Sequence, residues 1–156
     1  MATNEATEAL HQALSRLLDG DRDMGEMERT LPLLTNYLRL FAASSFVCAM
    51  VPLPPTPAVE YEGVDGVATA WRDWGAAFAS VRAEAEDLFR SEDATVLFVN
   101  QIAVTRHGGV EMTQPSAMLW LFEDGLVARL EFHLDRTMAL RAGGLDATGL
   151  NHRPRP

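Results

Sequence analysis

The chain has 156 residues, 47% hydrophobic and 22% charged, and this length favours one domain with a sizeable core. Its net charge is −9 and every basic residue is an arginine, so we expect no nucleic-acid partner, because an acidic surface repels phosphate. The single cysteine, Cys48, excludes an internal disulfide and suits the cytoplasm. Glu5 and Glu8 stand where a signal peptide would be basic, and the longest apolar stretch, 41–51, is well short of the ~20 residues that span a bilayer. We therefore expect a cytoplasmic protein without a membrane partner.

Two amphipathic helices are predicted at the N-terminus. Leucines from Leu10 to Leu18 recur at a 3.6-residue period, and Gly20 follows them as a helix stop. The acidic stretch 19–28 is predicted to be a solvated connection. A second helix is predicted from Thr30, with Pro32 in its first turn.

A short strand and a third helix follow in the sequence. The Phe- and Val-rich segment 45–51 favours a buried strand, and the prolines of 52–57 then exclude helix interior and central strand. The third helix is predicted from Gly63 or Asp65, with its apolar stripe running from Val67 to Phe78.

The rest of the chain alternates with a period of two. Strands are predicted at 81–86, 95–105, 110–122 and 126–134, with glycine turns at 106–109 and 123–125, and a final helix at 136–142. Antiparallel strands after early helices predict an α+β fold in which the helices cover one face of a single curved sheet. We assign residues 1–145 to one domain and 146–156 to a flexible tail.

Four ordered segments carry a family resemblance: 61–63 before a helix bearing Trp71 and Trp74, then 109–111, 119–125 and 134–145. Together they resemble the SnoaL-like branch of the nuclear transport factor two-like superfamily. The resemblance implies a cone-shaped α+β barrel, a curved and mostly antiparallel sheet wrapped by three N-terminal helices, with a short C-terminal helix. It also implies an apolar pocket inside the cone, and a homodimer.

The chain lacks the catalytic residues of two branches that it resembles. The proline loop is similar to that of limonene-epoxide hydrolases, but Val99 and Gln101 replace that branch's Arg-x-Asp pair, and Phe132 replaces its last-strand Asp. The Tyr and Asn of the limonene-epoxide-hydrolase branch are replaced here by Cys48 and Met50. The ketosteroid-isomerase base and acid would fall near 48–51 and at Ala117, where no carboxylate lies within two residues. We therefore expect neither mechanism, because no residue is left to move the proton.

The predicted pocket is dry and aromatic. Gln101 and Tyr37 are its predicted hydrogen-bonding residues, able to orient a carbonyl or hydroxyl, although Gln101 could equally satisfy backbone groups. Most aromatic residues at helical spacing are core packing, so not all of them need touch a ligand. The candidates are Tyr37, Phe41, Cys48, Met50, Trp71, Trp74, Val99, Gln101, Ala117, Leu119, Leu130 and Phe132.

Three polar residues near the end of the last strand are further catalytic candidates. Glu131 and His133 alternate with Phe132, which predicts an outer-face or dimer-interface position. A bulge that inverted the strand would instead bring them inward as an acid–base pair. Asp135 is predicted to cap the final helix. The four histidines show no metal-ligand spacing, and we expect neither metal nor cofactor.

The sequence leaves two functions open. The resemblance favours binding of a small apolar, polyketide- or terpenoid-like molecule by an enzyme such as a cyclase, isomerase or dehydratase of secondary metabolism. The alternative is a non-catalytic ligand-binding or dimerisation module of the same fold. The acid content of the cavity distinguishes the two.

Overall fold

A computed structural model describes residues 5–20, 22–145 and 152–153 of the chain. The predicted flexible tail, 146–156, lies outside the described residues except for His152–Arg153, which form a short strand. The four helices are α1 (Glu5–Asp19), α2 (Met27–Phe41), α3 (Asp65–Gly75) and α4 (Arg136–Ala142). None of these described helices combines the length and apolar character needed to cross a bilayer.

Eight described strands form one sheet with the order β1-β4-β5-β6-β7-β2-β3, and β8 also pairs with β4. All strand pairings are antiparallel except one: β7 lies parallel to β2. The strands are β1 (Asp23–Glu26), β2 (Ala42–Val51), β3 (Val59–Glu62), β4 (Phe78–Arg90), β5 (Ala94–Thr105), β6 (Glu111–Glu123), β7 (Leu126–His133) and β8 (His152–Arg153).

The two faces of the sheet carry separate apolar cores. The larger core lies on the inner face, where α1, α2 and α3 bury leucines such as Leu14 and Leu38 against the strands. The smaller core lies on the outer face, where Ala139 and Leu140 of α4 pack on β5 and β6. Three helices on the inner face and one short helix behind confirm the cone-shaped α+β architecture.

Helix α4 is capped at its N-terminus and is attached to the outer face of the sheet by its first residue. Asp135 caps it, since its Oδ1 accepts hydrogen bonds from the backbone N–H groups of Thr137 and Met138 at 2.9 and 3.2 Å. Arg136 donates to the carbonyl oxygens of Val99 (2.8 Å) and Ser116 (3.1 Å). The Arg136 guanidinium thus connects β5 with β6 on the outer face of the sheet.

Three local predictions are wrong. The connection predicted at 19–28 contains β1, which pairs with the β4 edge, and α2 begins at Met27 rather than Thr30. Phe78 continues the spacing of the α3 stripe, but the helix ends at Gly75 and Phe78 begins β4. The strand predicted at 81–86 therefore extends over 78–90, because the chain enters the sheet directly after the helix.

Helix α1 meets the sheet through a buried polar contact. His11 Nε2 lies 2.8 Å from the Thr95 hydroxyl, and His11 is only 4% exposed. Burial, followed by the nearby charge of Arg90, lowers the pKa of His11 to about 4. The imidazole is therefore neutral in the folded protein at pH values where it is protonated in the unfolded chain.

We predict that acid destabilises the protein through His11. The folded pKa lies below the ordinary value of 6.5, so the unfolded chain binds the extra proton as the pH falls from 6.5 to about 4. The free energy of unfolding therefore falls by about 3 kcal/mol between pH 6.5 and about pH 4. Urea unfolding of the His11→Gln variant, which keeps a hydrogen-bonding group towards Thr95, will show a flatter pH dependence. His107→Gln, at an exposed turn position, is the matched control. An unchanged slope in His11→Gln would contradict the assignment.

Candidate ligand-binding cavity

A small apolar cavity, the central cavity, lies between the inner face of the sheet and helices α2 and α3. Its volume is about 60 Å³. Aromatic and thioether side chains dominate its walls, among them Trp71, Trp74, Phe132, Met27 and Met50. None of its lining residues is ionisable; the polar ones are Thr30, Gln101 and Ser116.

A chain of hydrogen bonds crosses this cavity from helix to sheet. The Trp74 indole donates to Gln101 Oε1 at 2.8 Å, and Gln101 Nε2 donates to the Ser116 hydroxyl at 2.9 Å. That hydroxyl donates in turn to the carbonyl of Gln114 at 3.1 Å. The contact arises because Gln101 pairs with Gln114 across β5 and β6, which places Ser116 diagonally opposite on the same face. A primary amide has two N–H donors and two acceptor lone pairs, so Gln101 retains capacity for one further partner on each atom.

A second cavity, the mouth chamber, lies on the other side of Trp74. Its volume is about 230 Å³, and the proline loop and β3 form its outer wall. Four residues line both cavities and form the partition between them: Met50, Trp74, Gln101 and Phe132. A shift of the partition side chains would join the two spaces.

The mouth chamber is lined by one carboxylate. This carboxylate belongs to Asp73, and the Tyr61 hydroxyl donates to Asp73 Oδ2 at 3.0 Å. Gly66 makes this pairing possible, since a Cβ at that position would lie 2.9 Å from the Tyr61 Cβ. The first turn of α3 can therefore approach β3 only with glycine there, and this brings Tyr61 beside the next turns of the helix.

A larger groove of about 580 Å³ opens between α2, α3 and β4. It shares Met27, Trp71 and Val81 with the central cavity, and its basic residues are Arg72 and Arg106. The central cavity is therefore flanked by the groove on one side and by the mouth chamber on the other.

Seven of the predicted pocket residues line the central cavity: Met50, Trp71, Trp74, Val99, Gln101, Ala117 and Phe132. Among them are five of the positions at which the epoxide-hydrolase and isomerase branches would place catalytic groups: Met50, Val99, Gln101, Ala117 and Phe132. Gln101 carries an amide and the other four side chains are apolar. Ala117 belongs to the outer core, so its methyl group faces away from the cavity. None of the five positions supplies an acid or a base.

The other predicted pocket residues lie elsewhere. The Tyr37 hydroxyl donates to the Ala6 carbonyl at 2.7 Å between α2 and α1, and its ring packs on Phe41 with centroids 5.1 Å apart. Burial raises the pKa of Tyr37 above its usual value. Tyr37 is thus occupied with helix packing, because its hydroxyl reaches the first turn of α1 rather than the sheet.

Three further strand residues are core rather than cavity. Cys48 and Leu130 are paired neighbours on β2 and β7, fully buried in the inner core, and burial raises the pKa of Cys48 to about 12. Leu119 points to the outer face and packs under α4, because side chains alternate along β6 and Met118 takes the inward position.

Glu131 and His133 form a hydrogen-bonded pair on the outer face of the sheet. Glu131 Oε1 lies 2.7 Å from His133 Nε2, and Arg129 contacts both Glu131 and Glu60. Their cross-strand partners on β6 include Leu119, which belongs to the outer core, whereas Phe132 faces inward. The inverted strand is therefore ruled out: the acid–base pair exists, but it is turned away from the cavity. The hydrogen bond from His133 is the largest influence on Glu131 and holds the pKa of its carboxyl below the usual range.

Sequence reasoning missed Asp73 and Ser116 as cavity residues. The available signal was helical spacing: Ala70, Asp73 and Trp74 share one face of α3, and all three line the mouth chamber. The inward position of Ser116 could have been predicted from the alternation of side chains along β6, because Gln114, two residues earlier, faces inward. Within the described ranges, no three or more His, Cys, Asp or Glu side chains are grouped so that they could hold a metal ion.

Comparisons with known proteins show the fold. No protein-family model and no curated protein sequence matches the chain. A proposed SnoaL-like polyketide cyclase from a Jannaschia species superposes with a TM-score of 0.54 at 14% identity, covering 92% of this chain and 96% of that one. An NTF2-like protein of unknown function from Burkholderia pseudomallei gives 0.53 at 18% identity, covering 92% and 98%. TerC, co-crystallised with polyporic acid, gives 0.52 at 16% identity, covering 85% and 95%. The predicted SnoaL-like, NTF2-like fold is confirmed.

We predict that Glu131 stabilises the fold without serving the cavity. In Glu131→Gln, Arg129 loses one of its two charged partners, and we expect the free energy of unfolding to fall by about 1–3 kcal/mol at pH 7. Because the folded pKa of Glu131 is lowered, this contribution is present above 4.5 and is lost as the pH falls through the folded value. Thermal unfolding of both proteins at pH 7 and at a series of pH values below 4.5 checks the loss and its decline as the pH falls. Glu62→Gln, at an exposed β3 position, should change neither value.

Proposed function

We propose that the protein binds a small apolar molecule that carries a carbonyl or hydroxyl group. The apolar part of the ligand occupies the central cavity, and its oxygen meets the amide of Gln101. The observation that carries this proposal is the position of Gln101: a polar amide, hydrogen-bonded on both sides, in a cavity whose walls are mostly aromatic, aliphatic and thioether side chains. Apolar walls with a few fixed polar groups are typical of ligand sites.

Gln101 is suited to recognition because its orientation is fixed before the ligand arrives. Trp74 occupies one side of Oε1, and Ser116 accepts from one N–H of Nε2. The remaining N–H of Nε2 is a donor for a ligand oxygen, and the remaining lone pair of Oε1 is an acceptor for a hydroxyl. A preorganised amide loses little side-chain entropy on binding.

The size of the cavity indicates how a ligand would be accommodated. About 60 Å³ is far below the ~300 Å³ of a typical ligand site, so the cavity must open on one side to admit a ligand. The partition towards the mouth chamber is the side that carries Gln101, and it is the side that opens in this proposal. Met27 and Met50 line the central cavity, and methionine changes shape at low cost because its side chain is unbranched. The bound molecule would therefore extend from the central cavity past Trp74 into the mouth chamber.

Catalysis of ring closure, isomerisation or dehydration is the second candidate. Likeness in fold to a proposed polyketide cyclase and to TerC supports it. Because the central cavity is lined by no carboxylate or imidazole, catalysis there would rest on holding a reactive conformer, with Gln101 polarising a carbonyl. The geometry favours binding over acid–base chemistry.

The proposal is tested with a matched pair of probes, 1-indanone and indane, which differ by the ketone oxygen. We expect 1-indanone to bind the wild-type protein more tightly than indane. Gln101→Leu removes the amide, and we expect it to weaken 1-indanone binding about tenfold while indane affinity changes little. Titration followed by the three tryptophan indole resonances measures both.

Glu131→Gln serves as the control, since Glu131 lies on the opposite face of the sheet and should leave both affinities unchanged. Equal ketone affinity in the wild type and in Gln101→Leu would remove Gln101 from the site. Failure of 1-indanone to bind at its solubility limit would overturn the proposed binding function.

A further inference from the structure

We propose that the mouth chamber binds an alkylammonium group, so that the protein's ligand is an apolar molecule with a cationic end. This inference rests on the proposed function and adds to it the charge of the ligand. Its basis is the combination of one carboxylate and several aromatic rings around a single cavity: Asp73, Tyr61, Trp74 and Phe132.

The lining of the chamber has the chemistry that ammonium groups require. Aromatic faces attract cations through the ring quadrupole, and a carboxylate supplies the opposite charge. Asp73 Oδ2 accepts the hydrogen bond of Tyr61, which fixes the carboxylate beside the cavity while leaving its negative charge uncompensated by any described ion pair. The aliphatic remainder of the chamber, such as Pro57 and Leu134, suits N-methyl or N-alkyl groups rather than a hydrated ammonium.

The cavities on the two sides of α3 differ in charge. Asp73 is the one charged side chain among the described residues that line the mouth chamber, whereas the groove between α2, α3 and β4 is lined by Arg72 and Arg106 together with Glu26 and Glu28. Arg72 and Asp73 are neighbours in sequence, and the helix directs them to different cavities. The mouth chamber is therefore the side that favours a cation, and the net charge of −9 favours its approach.

The partition places this cationic subsite next to the apolar one. Trp74 lines both cavities and donates to Gln101, so an ammonium over its ring would lie beside the oxygen-binding amide. A ligand with a ring system, an oxygen function and an amine at the end of a short chain would fill the central cavity, bond to the Gln101 amide and place its charge beside Asp73.

The test compares choline with its neutral isostere, 3,3-dimethylbutan-1-ol, in titrations followed by the indole N–H resonance of Trp74. We expect choline to shift this resonance saturably and to bind about fivefold more tightly than the isostere. Asp73→Asn retains an acceptor for Tyr61 and removes the charge, so it should abolish the preference for choline. Asp65→Asn, which changes an exposed acid of α3 that lies 3.6 Å from Arg39, should preserve it.

The outcomes separate this inference from the function on which it rests. Equal binding of choline and its isostere, no saturable shift of Trp74 with choline, or the same preference in wild type and Asp73→Asn would overturn the ammonium site. If 1-indanone still binds in the same samples, the proposed function stands alone. If choline shows the expected preference and 1-indanone does not bind, the ammonium site stands and the proposed function falls.

Discussion

The hydrogen-bonded chain from Trp74 through Gln101 to Ser116 is the constraint on which the candidate site depends. An amide among aromatic and aliphatic side chains must be hydrogen-bonded, because leaving it unpaired would cost about 1–3 kcal/mol. Gln101 meets this requirement by binding the indole of α3 on one side and the hydroxyl of β6 on the other. The same bonds therefore hold the helix at a fixed distance from the sheet, orient the amide, and place the ring that separates the two cavities.

Much of the fold could be predicted from the sequence where the pattern was strong. The period-two stretches predict β5, β6 and β7 to within about a residue at each end, and glycine turns mark the ends shared by β5 and β6 and by β6 and β7. Alternation also explains why Val99, Gln101 and Phe132 meet in one cavity: each lies on the inward-facing set of its strand. The cap of α4 followed from Asp135 alone, because an N-cap depends only on residues two or three positions away.

The remaining features depend on contacts that no local pattern encodes. Strand β1 is short, acidic and at the edge of the sheet, so its composition is that of a loop and only its pairing with β4 makes it a strand. The role of Tyr37 is decided by the Ala6 carbonyl, 31 residues earlier, which is an acceptor that any segment could have supplied. Asp73 is an exposed acid on a helix, the commonest of surface positions, and becomes part of a cavity only because Gly66 lets α3 approach Tyr61.

The support that Arg136 gives from the outer face has a consequence for selectivity. Its bonds to the carbonyls of Val99 and Ser116 brace the strands directly behind the cavity, so this wall has little freedom to adjust. Elsewhere the wall includes Met24 of β1 and Met27 of α2, whose unbranched side chains repack readily. The wall formed by β5 and β6 is thus stiff, whereas the wall that carries these methionines is compliant. Such a site would accept ligands that differ in size on the methionine side, and would distinguish ligands by the atom that contacts β5 and β6.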